Sequence, residues 1–218
     1  MERVYNTAEM KEWLPLNSAL ARILVPGFVR LRVSANAITG LSLFSGLLGA
    51  WYLSRGSGRA ILCGAVLFLL SCLLDECDGK VASQTNTCSS LGALLDTVTD
   101  FIVHLFFFVG LGLGLERQFP QHHALLLGWI AGAGIALSSL LDLTGVSRWN
   151  PPSHSSQPCE NKLEWVKLWF QVDFSVLVVI SALLRQMSWI LWAGSLGVFL
   201  VWIPSTFFFV MKQRISRY

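Results

Sequence analysis

The stretch "LLDECDGKVASQTNTCSSLGALLDTVTD", Leu73 to Asp100, sets four aspartates, Asp75, Asp78, Asp96 and Asp100, inside an otherwise strongly apolar chain. Its reading decides the fold. If helical periodicity runs through it, Asp75, Asp78 and Ala82 fall at i, i+3 and i+7 on one face, and Gly92, Asp96, Asp100 and His104 step by four along the next helix. Two helices joined by a short loop then bring two carboxylate pairs together at the edge of a membrane.

The rest of the chain agrees with a membrane setting. Of its 218 residues, 54% are hydrophobic and only 13% charged, about half the charged share of a soluble domain, and the mean hydropathy is +0.58. Apolar runs fall roughly at Ala37 to Leu53, Ala60 to Leu74, Leu91 to Leu115, Leu125 to Leu143, Val172 to Leu184 and Trp189 to Met211. A bilayer crossing takes about 20 apolar residues, so the second and fifth runs must borrow flanking residues to span. The expected fold is all-α: a polytopic membrane protein of six transmembrane helices, residues 34–218, preceded by an interfacial or juxtamembrane segment, residues 1–33. In that segment Met10, Trp13, Leu14, Leu20 and Leu24 interleave with Lys11, Glu12 and Arg22, as in an amphipathic helix lying in the headgroup layer. Pro15 and Pro26 interrupt the periodicity, so a solvated leader is the alternative. The segment lacks the order of a cleaved signal peptide.

Basic residues set the expected orientation. Twelve of the 16 Lys and Arg fall on one side of the six-helix arrangement, and only Arg55, Arg59, Arg117 and Arg185 on the other. By the positive-inside rule both termini and the aspartate segment face the cytoplasm. The net charge of +3 adds little beyond a preference for anionic lipid headgroups, and no nucleic-acid partner is indicated.

Five cysteines without a C-x-x-C pair indicate neither a disulfide framework nor a zinc site. Cys77 lies among the acids in sequence, but a thiolate suits softer metals than an oxygen-rich site holds. The acids themselves need an explanation, because insertion scales charge about 2.5 to 3.5 kcal/mol for one Asp at a helix centre and neighbouring carboxylates repel. Acids that merely capped helix ends would not be spaced D-x2-D-G-x2-A and G-x3-D-x3-D, with a glycine beside each pair. Divalent cations remove the objection. An all-carboxylate site favours Mg²⁺ or Mn²⁺, and two such ions form the arrangement used in phosphoryl transfer. A membrane protein that only carries cations would spread its acids along a pathway rather than cluster them at one end of two helices.

The motif Asp75-x2-Asp78-Gly79-x2-Ala82-Ser83-x8-Gly92-x3-Asp96-x3-Asp100 resembles the signature of the CDP-alcohol phosphotransferases (CDP-alcohol phosphatidyltransferases), six-helix membrane enzymes of phospholipid synthesis. Seven of eight defining positions agree over 26 residues. "SANAITGLSLFSGLLGAWYL", with Asn36, resembles the opening of that family's first membrane helix. The resemblance implies that Asp75, Asp78, Asp96 and Asp100 hold two divalent metals, with Asp100 also the general base. It implies too that Gly79, Ala82 and Gly92 are small so that the cytidine nucleotide can lie against the helices. Partners would be a CDP-linked donor, a hydroxyl acceptor and membrane lipids, and the products CMP and a phosphodiester.

Ser83 stands where the family usually has arginine, exchanging a permanent charge for one hydroxyl. Either Lys80, three residues earlier, supplies the charge, or donor affinity falls or the donor differs, in the extreme case without turnover. Intact acids favour activity. Arg148, Lys162 and Lys167 could bind an acceptor phosphate or simply be positive-inside residues. "QTNTCSSLGALLD" also resembles the choline and ethanolamine phosphotransferase branch, whose soluble CDP-alcohol donates to a lipid. His104 could orient Asp100 or contact the acceptor, and Asp142 and Asp173 could line the acceptor cavity. Gly110, Gly112, Gly114, Gly128 and Gly132 suit close helix packing, within the chain or at a homodimer interface.

Overall fold

The computed structural model describes residues 16–120, 123–143 and 174–197. Seven helices lie among them: α1 (Leu16–Arg30), α2 (Ala35–Ser54), α3 (Gly58–Gln84), α4 (Ser90–Gln118), α5 (Ala124–Leu143), α6 (Phe174–Leu183) and α7 (Met187–Gly197). The described residues contain no strand. Helices α2, α3 and α4 are each long and apolar enough to cross a membrane. The expectation of six such helices thus meets three among the described residues. Helices α5, α6 and α7 fall on the fourth, fifth and sixth apolar runs, and residues 198–211 of the last run lie outside the described residues.

Serines start all three long helices. Ser34 accepts a hydrogen bond from the Ala37 N–H, Ser57 from that of Ala60 and Ser89 from that of Gly92, at 3.3, 3.4 and 3.0 Å. Each satisfies a donor that the first turn leaves unpaired, a contribution of about 1 kcal/mol. Helix α3 does not stop where its apolar run stops, at Leu74, but continues to Gln84. It closes with Asn86 in the left-handed region (φ 54°), and the Thr87 N–H returns to the Ala82 carbonyl at 2.9 Å. Asparagine is one of the few residues that tolerates that backbone. With 27 residues α3 is roughly 40 Å long, about 10 Å more than the hydrocarbon layer, so it extends beyond that layer.

Helix α2 packs between α3 and α4 with small and polar residues inward. Thr39, Ser42, Ser45, Gly46 and Gly49 are buried, while Leu41, Phe44 and Trp51 are exposed. That inversion of the soluble pattern suits lipid outside and close backbone approach inside. Ser42 donates to the Ser71 carbonyl at 2.9 Å, Ser71 returns a bond to the Ser42 carbonyl at 2.8 Å, and Ser45 donates to the Leu67 carbonyl at 2.8 Å. On the other side of α2, a Cβ on Gly110 would lie 2.5 Å from the Ala50 carbonyl oxygen and one on Gly114 2.1 Å from that of Leu53. A Cβ on Gly128 would meet the Phe108 carbonyl oxygen at 2.6 Å. These glycines therefore serve packing within the chain. Gly114→Ala is expected to destabilise the protein by about 1–3 kcal/mol, since backbone rather than a flexible side chain blocks the methyl. Gly58→Ala, with nothing within 4 Å, is the control in a thermal unfolding series in detergent.

Phe68 of α3 stacks on Phe107 of α4 at 4.1 Å, and Phe174 of α6 meets both rings edge-on at about 6 Å. Helix α1 packs on α3, where Ala21 and Val25 join Ile38, Cys77 and Val81 in a buried apolar cluster. Pro26 does not interrupt α1, contrary to the expectation from its sequence; the helix runs through it to Arg30. Pro26 itself is exposed, and the apolar contacts of the neighbouring Ala21 and Val25 hold the helix in place. Met10, Trp13 and Leu14, the expected interfacial anchors, lie outside the described residues.

Candidate active site

The aspartates stand where helical spacing puts them, Asp75 and Asp78 on the last turns of α3 and Asp96 and Asp100 on the first turns of α4. A carboxylate oxygen from each of Asp75, Asp78 and Asp96 lies within 4.8 Å of the others. Asp78 is buried, and Asp75 and Asp96 are half-buried. Three anionic oxygens this close repel one another unless a cation lies between them. Asp75 Oδ1 is moreover buried without a hydrogen-bond partner, which in an uncompensated state costs about 1–3 kcal/mol. Converging carboxylates with an unpartnered buried oxygen fit a hard divalent cation, whose ligands are oxygens.

Two of the acids are held by a neighbouring side chain. Thr39 of α2 donates its hydroxyl to Asp78 Oδ2 across the α2–α3 seam. Asp100 stands outside the three-acid group, and its Oδ1 lies 2.9 Å from His104 Nδ1. Thr39 was not singled out from the sequence, where it is one small polar residue with a partner 39 positions away. The available signal was the spacing of Thr39, Ser42, Ser45, Gly46 and Gly49, a small-residue stripe that faces α3.

The positions expected to meet a nucleotide lie beside the acids. Gly79 and Ser83 are exposed and Ala82 is half-buried. A Cβ on Gly79 would meet nothing within 4 Å among the described residues, so none of them requires a glycine there. A Cβ on Gly92 would touch the capping Ser89 hydroxyl at 3.1 Å and approach Asn36 Oδ1 of α2 at 3.8 Å. Lys80 is turned away from this face. It pairs with Glu76 at 2.5 Å and bonds to Ser18 of α1 at 2.9 Å, because two residues along a helix rotate a side chain by about 200° from Asp78. Ser18 also donates to Glu76 at 3.1 Å, and Asn17 of α1 donates to Ser175 of α6 at 2.8 Å. Cys77 is buried in the α1 contact and is absent from the acid group. The side chain of Asp142, and Arg148, Lys162, Lys167 and Asp173 altogether, lie outside the described residues.

No curated protein matches the chain. The model of one family, CDP-alcohol phosphatidyltransferase, matches residues 32–208, a span that takes in α2 to α7 and all four aspartates and leaves α1 outside. That span covers most of the chain, with the motif carried on the two helices whose acids converge. The chain therefore belongs to the CDP-alcohol phosphatidyltransferase family, membrane-lipid transferases that use divalent cations and move a phosphorylated alcohol from a CDP-linked donor to an alcohol acceptor in phospholipid synthesis.

Proposed function

We propose that this protein is an integral-membrane transferase that passes a phospho-alcohol group, in the first instance phosphatidyl, from a CDP-linked donor to a hydroxyl acceptor and releases CMP. The convergence of Asp75, Asp78 and Asp96 beside the open face of Gly79 carries the reading. Asp75, Asp78, Asp96 and Asp100 are the residues to hold two divalent cations, Mg²⁺ or Mn²⁺. Bound there, the cations would neutralise the donor diphosphate and the charge left on CMP. Gly79, Ala82 and Gly92 leave room for the nucleotide, and Ser83 offers it a hydroxyl donor. Lys80 belongs to this donor set by its place in the motif, although Glu76 and Ser18 hold its ammonium group. Asp100 accepts the proton of the acceptor hydroxyl as that oxygen attacks the β-phosphorus and the bond to the CMP oxygen breaks.

The membrane domain extends over residues 34–218 in six crossings, behind a juxtamembrane segment of residues 1–33. Both termini and the site face the cytoplasm, the side that supplies CDP-linked donors, as the distribution of basic residues suggests.

The test is CMP release by the purified full chain from CDP-diacylglycerol, CDP-choline and related donors, against a panel of polyol-phosphate and lipid acceptors with Mg²⁺ or Mn²⁺. Turnover with CDP-diacylglycerol and a polyol acceptor supports the reading; turnover with CDP-choline and diacylglycerol instead would move the protein to the soluble-donor branch. Silence from every donor would overturn it. Within this assay Thr39→Val is expected to lower CMP release at least about tenfold, because a hydrogen bond to a charged group contributes about 1.5–3 kcal/mol. Thr39→Ser, which keeps the hydroxyl, should remain near the parent rate.

A further inference from the structure

We infer that His104 is a positioning residue, which fixes one oxygen of the Asp100 carboxylate and so presents the other to the acceptor hydroxyl. The inference rests on the transferase reading above for the role of Asp100, but its geometric half stands by itself.

His104 Nδ1 lies 2.9 Å from the Asp100 backbone oxygen and 2.9 Å from Asp100 Oδ1. A backbone carbonyl only accepts, and so does an ionised carboxylate, so Nδ1 carries a hydrogen and donates. The ring is fixed in turn. Phe68 meets it edge-on, with centroids 5.5 Å apart and planes at 87°, and Phe68 is wholly buried and stacked on Phe107. The imidazole therefore joins the aromatic core to a carboxylate at the site. Asp96 and Asp100 share a helical face by their spacing, yet only Asp96 enters the group with Asp75 and Asp78. Of the two, Asp100 alone has a histidine one turn further on. A base must be oriented toward its proton, and a donor on one carboxylate oxygen leaves the other for that task.

The experiment compares His104→Leu, His104→Gln and His104→Asn in the detergent-solubilised full chain. Asparagine keeps an N–H near the position of Nδ1, while glutamine carries its amide nitrogen one bond further out. Expected for His104→Leu is a kcat lower by about 30-fold, in the range usual for residues that orient a functional ligand, with the donor KM within about twofold. His104→Gln should resemble it, and His104→Asn should recover to within about threefold of the parent. Mn²⁺ binding without substrate, followed by electron paramagnetic resonance, provides the readout independent of turnover. Loss of the histidine leaves the Asp100 carboxylate, one of the proposed metal ligands, unfixed, so Mn²⁺ should bind about tenfold more weakly to the Leu and Gln variants and near the parent affinity to the Asn variant.

Parent-level kcat in His104→Leu, or asparagine no better than leucine, overturns the inference, as does Mn²⁺ binding that is unchanged or tighter. If the parent chain itself releases no CMP, the transferase reading fails, and the Mn²⁺ series still decides whether His104 fixes the Asp100 carboxylate. If His104→Leu does not fold, the Gln and Asn pair carries the same comparison with a polar side chain in both.

Discussion

Asp100→Asn is expected to lower kcat for CMP release by about three orders of magnitude, the middle of the range for removal of a general base. The substitution keeps size and shape but replaces a proton acceptor with an amide that cannot take a proton at neutral pH. The new amide oxygen can still ligate a hard cation, and Asp75, Asp78 and Asp96 keep their places. Donor KM should accordingly change only a few-fold. Steady-state kinetics with separate titration of donor and acceptor reads both quantities. Undiminished turnover in Asp100→Asn would remove the base assignment and leave the acid for another role.

Gly79→Leu should separate stability from activity. Gly79 lies inside α3, with an ordinary negative φ and no atom within 4 Å of the position a Cβ would take. A glycine in a helix interior costs about 1 kcal/mol relative to alanine, and leucine recovers most of that. Thermal stability should therefore hold or rise. The donor is the partner that needs the space, so its KM should rise about 30-fold or more, the equivalent of about 2 kcal/mol of lost binding. Gly79→Ala should fall between. A stable variant with unchanged donor KM would show that the nucleotide does not lie against this face. Gly114 offers the contrast, for there a methyl collides with the chain's own backbone and the loss should appear in folding first.

The acid site was legible because its information is local. Asp75 and Asp78 are three apart, Asp96 and Asp100 four apart, and a helix turns both spacings into a shared face. The length of α3 was partly legible: hydropathy ends at Leu74, but the helix continues through polar residues to Gln84 because a left-handed Asn86, not loss of apolarity, closes it. Long-range partners were not legible. Nothing around Thr39 announces Asp78, and nothing around Lys80 announces Ser18, 62 positions earlier. Lys80 illustrates the physical limit. Sequence distance places it near Ser83, while helical rotation and a glutamate one turn away take it to α1. Pro26 was misjudged for a related reason, since its own cost to the helix was visible and the burial of Ala21 and Val25 that offsets it was not.

The paired serines between α2 and α3 have a consequence for how the site keeps its dimensions. Sliding one helix along the other by a single residue would shift it by about 1.5 Å and rotate it by about 100°. Ser42, Ser71 and Ser45 would then lose their carbonyl partners together, in surroundings with little water to replace them. The seam thus works as a gauge block: Thr39 meets Asp78 at one registration only, and that setting is held by hydroxyls buried between the helices. Variants of those serines that fold should retain every residue of the acid site and still misalign it.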